Sequence, residues 1–465
     1  MSPRLPPRRC GSIRNAPASR WMCCASSWKS AETAPASNWC ETCLRQSRAR
    51  RRSCRRARRA RTASSRRKAM SRTSIASWPQ RRTRIDGRDG MNQQTMQNLT
   101  LFDLLARSWR RPSAIADLRF STDGSAVAFT CVDGTIAIAT VADHEPPETR
   151  IRVSNDLGQT TIRPREKPPV PLIATAGFGD GDVPITADAH SGFLVGAASG
   201  DVLHLAADGE AAAPLVRIDG PIVAIDHSAR TDMTAISNGH DVFLSRGQGG
   251  AVQLKHAVTS SMDALAFSPG GRRLACGLDE GLSIWSVEGD PALIRDVSFP
   301  ARPVSIRWSR DGTWLACGLE TGGLALVSVA DGRADIVAGF PSPVRTVCWS
   351  QPANALFASG AFRIAGWSMT APPVGGETSG ALETGRTGLV LVETVAAHPQ
   401  KKLIAAGYAN GRITVAQIGA RDELLVRPLG SAVTALAWSG DGRHLAVGAV
   451  DGSAAIVTFP AQMFK

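Results

Sequence analysis

The sequence predicts an all-β fold in which short sheets repeat around a closed ring, and three observations carry that prediction. The pentapeptide LACGL stands at Leu274–Leu278 and again at Leu315–Leu319, an offset of 41. The flanks agree, because AFSPGGRRLACGLDEGLSIWSV (266–287) lies over RWSRDGTWLACGLETGGLALVSV (307–329). The same template of strand, polar turn, Ala- and Gly-rich strand, second turn and third apolar strand recurs eight times between residues 116 and 459. A period of about 40 residues is what repeat architectures show when one supersecondary unit cannot bury its own faces.

Residues 1–90 stand apart from this pattern. They carry 24 Lys and Arg against 4 Asp and Glu, a balance of +20, which leaves −6 of the chain's +14 to the remainder. The segment has no Val, Phe, Tyr or His. It cannot bury enough apolar surface to offset chain entropy, and a disordered Arg-rich segment is expected. Its centre, RARRRSCRRARRARTASSRR (48–67), would attract a polyanion. Three readings stand side by side: a basic arm binding nucleic acid through counterion release, a transit peptide, or a mis-assigned start with translation beginning at Met91. The last is the expectation, since an Arg, Ser, Ala, Pro, Cys and Trp mixture is what a wrong reading frame of GC-rich DNA yields. Nucleic acid is therefore expected as a partner only if residues 1–90 are expressed. Cys40 and Cys43 have CxxC spacing, but no second pair or nearby His completes a zinc site.

The repeating body follows. LTLFDLLARSW (99–109) is an apolar stretch ahead of the first unit, and the chain ends soon after the third strand of the last. The stretch is read as a strand that completes the last sheet, closing the ring and removing a lone terminal edge. The units cover 116–141, 185–208, 222–246, 262–287, 304–329, 344–369, 392–418 and 433–459. Asp123-Gly124, Gly270-Gly271, Asp311-Gly312 and Asp441-Gly442 separate first from second strands, where a tight hairpin wants a residue at positive φ. Outer strands are expected within 213–219, 334–340 and 423–429. An insertion is expected at about 142–184, because Phe120 to His190 spans 70 residues where the other intervals are 37–49.

The units 266–287 and 437–459 resemble the WD-repeat family, whose unit reads roughly VxxVxFSPDGxxLASGxxDGTIxLWDV. The resemblance covers about 98–460 and is to a degenerate, bacterial-type member. It implies a single β-propeller of four-stranded blades, eight by count or seven, the family's usual number, if one of the first two units is not a blade. The Trp-Asp pair is missing, Trp285 being followed by Ser286, and Gly239-His240 falls at a different turn from the family's Gly-His. The family's His and Asp network is therefore expected to be absent, with packing holding the blades together.

No HExxH, GxSxG or GK[ST] phosphate loop occurs. GFGDGD (177–182) lacks the spacing and terminal Glu of a calcium-binding EF-hand loop. His190, His227 and His398 recur in the slot where other units carry Phe267, Trp308, Trp349 or Trp438, so they are read as structural, and the tryptophans as core. No catalytic, cofactor-binding or metal-binding residue is assigned. The turns between second and third strands carry Asp133, Asp279, Glu280, Glu320 and Asp451, which would give one mouth of the ring a negative field. The resulting expectation is a non-catalytic scaffold, a monomer, presenting these residues to a protein or peptide partner with a basic segment. The alternative is a propeller hydrolase or lyase with a metal in the central channel. Cys276 and Cys317 occupy equivalent sites and are expected as buried thiols in a reducing, cytoplasmic compartment. No run approaches the roughly 18 apolar residues of a membrane span, so no membrane is expected.

Overall fold

The computed structural model describes residues 99–153, 160–247, 249–255, 260–375 and 379–464. What the sequence suggests about residues 1–90 lies outside the described residues. Eight antiparallel sheets, blades 1 to 8, begin with inner strands Ile115–Phe120, Ile185–Ala187, Ala224–Ser228, Leu265–Phe267, Pro303–Trp308, Val347–Ser350, Val392–Ala397 and Val433–Trp438. Each inner strand packs against the next, and blade 8 packs against blade 1, so the ring is closed. Both early units are true blades, which settles the count at eight rather than seven.

The closing strand is Ala106–Arg110, paired antiparallel with the third strand of blade 8 from Ala106 opposite Val457 to Arg110 opposite Ser453. The residues just before it are not extended as the sequence reading supposed. Leu101–Leu105 form one helical turn, because Thr100 accepts the Asp103 N–H at 3.2 Å while Asp103 accepts the Thr100 N–H at 2.9 Å. This reciprocal cap satisfies two donors that a helix start leaves open. Blade 6 also departs from four strands. It holds Val347–Ser350, Ala355–Ala358 and Ala365–Ser368, with only an isolated Trp367–Ala381 bridge at its outer edge. In blade 1 the outer strand is Ile173–Ala174, near the far end of the stretch assigned to the insertion. The chain before it forms a short helix, Pro147–Arg150, and a hairpin of Ile151–Val153 with Thr160–Ile162.

The core is divided among eight apolar clusters, one at each junction between neighbouring blades. This division explains why LACGL recurs. A strand's side chains alternate between its two faces. Leu274 and Cys276 pack back onto blade 3, whereas Ala275 packs forward beneath Ile306 and Trp308 of blade 5. In the second copy Leu315 and Cys317 pack back onto blade 4, and Ala316 packs forward onto blade 6. Leu445, Val447 and Ala446 repeat the arrangement in blade 8. Glycine completes the motif because the next blade's entry loop crosses there: a Cβ on Gly318 would lie 2.1 Å from the Val344 carbonyl oxygen. Burying each leucine contributes about 1.5–3 kcal/mol. At the first turn, Gly124, Gly271 and Gly312 all adopt φ of +70°, as the hairpin geometry requires.

Candidate functional site

The antiparallel run of each blade places two kinds of loop at one end of the ring: the turn after the second strand and the loop entering the first. Backbone bonds lock one to the other within a blade. The N–H groups of Val132, Glu320, Ala409 and Val450 donate to the carbonyls of Ala114, Arg302, Leu391 and Ala432 at 3.0–3.1 Å. These bonds brace the turns of the face against its entry loops.

All five sequence-predicted carboxylates lie on this face, in blades 1, 4, 5 and 8, and most have local partners. Asp133 accepts from the N–H and hydroxyl of Thr135 at 3.2 and 2.7 Å, and the hydroxyl bond holds its carboxyl below the ordinary value. Asp451 accepts from Ser453 N–H at 3.1 Å and pairs with Arg110 at 3.0 Å. Burial raises its carboxyl, but those partners outweigh it and the group sits low. Glu320 is gripped by Arg302, through Nε at 3.2 Å and Nη2 at 3.3 Å, while the same guanidinium reaches Asp263 at 2.6 Å. Asp279 accepts from Ser261 N–H at 3.1 Å and from the Ser260 hydroxyl at 3.3 Å. Glu280 is exposed. An even ring of free charge is therefore not what the turns form. The acidic character concentrates on blades 4 and 5, around Asp263, Asp279, Glu280 and Glu320.

The remaining arc is of a different kind, and sequence reading missed it. Val132, Phe362, Leu389, Leu429 and Val450 are exposed on the same face, in or entering blades 1, 6, 7 and 8. Arg363, next to Phe362 in the same turn, and Arg345, on the segment entering blade 6, are both exposed. The available signal was the composition of the turn itself: Ala361-Phe362-Arg363 replaces the Asp-Gly type found elsewhere.

The channel side carries a second set of unpredicted charges. Arg119 pairs with Asp117 at 3.0 Å in blade 1. Asp226 of blade 3 accepts the Phe267 N–H of blade 4 at 2.7 Å, and burial raises its carboxyl against that bond. Arg307 lies on the inner strand of blade 5, where its side chain is exposed. Burial pushes the Cys348 thiol up to about 12. Among the described residues, no three His, Cys, Asp or Glu side chains come together in a way that could hold a metal ion.

The histidines divide. His227 does occupy the aromatic slot, opposite Thr234 as Phe267 is opposite Leu274. His190 instead lies in the following turn, outside the strand Ile185–Ala187. His398 falls one residue past the slot, which Ala397 fills opposite Ile404. There its Nδ1 accepts the N–H groups of Gln400 and Lys401, each at 3.1 Å, and so closes the first turn of the blade. The tryptophans are inter-blade ties, Trp349 and Trp438 donating to the carbonyls of Arg307 and Ala396 in the blades before them, both at 3.1 Å.

Residues 425–456, from the outer strand of blade 7 to the third strand of blade 8, match the family model "WD domain, G-beta repeat". A search of curated proteins finds no match. Among solved structures, the chain is similar to the Dos1 propeller at 11% identity and TM-score 0.57, over 78% of this chain and 97% of that one. The C-terminal WD40 domain of Sif2 matches at 11% identity and TM-score 0.55, over 77% and 100% of the two chains. The computationally designed Ika8 protein matches at 17% identity and TM-score 0.55, over 75% and 98%. At such identities these likenesses establish the fold.

Proposed function

We propose that this eight-bladed propeller, with a WD repeat at residues 425–456, serves as a non-catalytic scaffold that binds a protein or peptide partner across its turn face. The observation that carries the reading is the braced face itself, where turns are bonded to entry loops in blades 1, 5, 7 and 8 at one end of the ring. Such a disc offers a wide, pre-organised surface, and pre-organisation lowers the ordering cost of binding. On blade 4 the carboxylates of Asp279 and Glu280 favour a basic stretch of the partner, with Glu320 of blade 5 already engaged by Arg302. Asp133 and Asp451 belong to the same reading as contacts at the rim.

The channel offers less support for a metal-dependent reaction, since its acidic residues are engaged: Asp117 pairs with Arg119 on its own strand, and Asp226 accepts the Phe267 N–H of the next blade. Binding of nucleic acid would rest on residues 1–90 alone. The reading takes the protein as a cytoplasmic monomer, in keeping with free thiols at Cys131, Cys276, Cys317 and Cys348. Among the described residues no helix is long and apolar enough to cross a membrane. The test is capture of partners by the full chain, repeated with Asp279→Ala and Glu280→Ala together. The basic contact predicts loss of a partner at unchanged fold, and an unaltered set of bound proteins would refute that contact, whereas capture of no protein by the full chain would refute the scaffold. Light scattering on the eluted protein checks the monomer.

A further inference from the structure

Exposed apolar side chains are ordinary when scattered, but a contiguous group on one surface marks a place where something docks. Among the described residues, five exposed large apolar side chains follow one another along the turn face from blade 6 to blade 1. Phe362 is 49% exposed, and Leu389 is 95% exposed. Their loops are joined where Gly388 N–H donates to the Phe362 carbonyl at 3.3 Å. The path continues through Ala409, whose N–H meets the Leu391 carbonyl at 3.0 Å, to Asn410, which accepts from Gly430 N–H at 3.0 Å beside Leu429. Val450 is tied to Ala432 and Val132 to Ala114, both at 3.0 Å, and blade 1's entry meets blade 8's turn where Arg111 N–H donates to the Gly452 carbonyl at 2.8 Å. The arc is therefore carried on loops that adjoin from blade to blade.

Charge selects what would cover it. At the blade 6 end stand Arg345 and Arg363, both exposed, and neither forms an ion pair with a carboxylate among the described residues. The arginines nearer blade 8 are already engaged: Arg427 donates to the Gly411 carbonyl at 2.7 Å, and Arg110 pairs with Asp451. A guanidinium without a partner at the edge of an apolar surface is a site for a carboxylate, which it can meet with two parallel hydrogen bonds. We infer that the arc from blade 6 to blade 1 is a docking surface for a protein segment that combines two or more large apolar side chains with an Asp or Glu placed over Arg345 and Arg363. The inference deepens the scaffold reading and rests on it, but it assigns the anchor to the arc opposite in character from the acidic one. A basic stretch of the same partner could lie over blades 4 and 5, and the anchor does not depend on it.

The experiment displays random 12-residue peptides to the full chain and selects binders. Four proteins are compared: the unaltered chain, Phe362→Ser with Leu389→Ser, Arg345→Glu with Arg363→Glu, and Asp279→Ala with Glu280→Ala. All the substituted positions are exposed, and circular dichroism and melting checks that each variant is folded. Selected peptides are expected to carry paired large apolar residues and an Asp or Glu. The first variant should weaken their binding at least tenfold, and the second should switch the selected charge from acidic to basic. Peptides that are basic and depend only on Asp279 and Glu280 would overturn the inference and leave the scaffold reading standing. Failure to select any peptide would overturn both. Association of the unaltered chain with itself, abolished by the serine variant, would also overturn it, by making a second copy the occupant.

Discussion

The indole N–H of Trp308 donates to the carbonyl oxygen of Ala266, one blade back, at 2.9 Å. The same bond recurs from Trp349 to Arg307 and from Trp438 to Ala396. These ties stand where a His and Asp network was expected to be missing, so the blades are held by more than packing alone. Replacing Trp308 by Phe keeps most of the ring and removes the bond, and should cost about 1–2 kcal/mol. Trp308→Ala should cost about 3–5 kcal/mol through the cavity it leaves between blades 4 and 5. Urea unfolding measures both losses, and unchanged stability of the Trp308→Phe variant would show that the bond contributes nothing.

The His398 ring lies 4.9 Å from the Trp438 ring, and a Cβ on Gly442 would fall 2.3 Å from its Cε1. Burial lowers the pKa of His398 from 6.5, and burial does the same to His444. In the unfolded chain both titrate near 6.5, so below that pH the unfolded state binds protons that the folded state refuses. Stability is complete above about 6.5 and falls as the pH drops through the window beneath it. The urea midpoint should therefore be lower at pH 5 than at pH 7.5. His398→Asn, whose side-chain oxygen can accept the same two N–H groups, should shrink that difference.

Cys276 and Cys317 are buried in neighbouring inter-blade clusters, and burial raises both thiols, Cys276 to about 12. Cys348 is raised to a similar value by burial even though it is not fully covered. Only the thiolate attacks an alkylating agent. At pH 8 iodoacetamide should leave all three unmodified in the folded protein and label them in urea, as peptide mass spectrometry would read. Rapid labelling of Cys348 in the native state would show that its thiol is activated.

Where glycine and aspartate fix a turn, the sequence announces the structure. Gly312 and Gly442 stand at φ of +70° and +71° where their Asp-Gly pairs place them, and the eight units follow. Blade 7 shows how the register is lost. Its first turn, HPQKK, contains no glycine, so His398 was matched to an aromatic slot that belongs to Ala397. A shift of one residue moves a side chain to the other face of a strand. The helical turn at Leu101–Leu105 was legible in principle, since Thr100 and Asp103 have capping-box spacing, but the apolar run around them reads equally well as a strand. The acidic turns were found from composition. What composition could not show is that Glu320 would meet Arg302, 18 residues away, or that Phe362 and Leu389 would become neighbours.

Arg107 ties the ring's seam together. It sits on the closing strand, buried, and its guanidinium donates to the Val141 carbonyl at 2.7 Å and the Ala142 carbonyl at 2.8 Å, at the start of the chain between the third and outer strands of blade 1. Asp143, also paired with Arg165, lies 3.9 Å from its Nε. The far end of that chain returns to the same strand, where Trp109 donates to the Val170 carbonyl at 2.8 Å, and Glu148 pairs with Arg443 of blade 8. The segment thus straps the seam between blades 8 and 1. Arg107→Ala leaves two carbonyls without their charged donor and should cost about 2–4 kcal/mol. The loss should be local, because a seam can open without unfolding the opposite blades. Hydrogen exchange is expected to quicken at residues 106–110 and 453–458 while the strand Trp314–Leu319 of blade 5 keeps its protection. Equal loss of protection on both sides of the ring would mean that Arg107 supports the whole fold and not its closure.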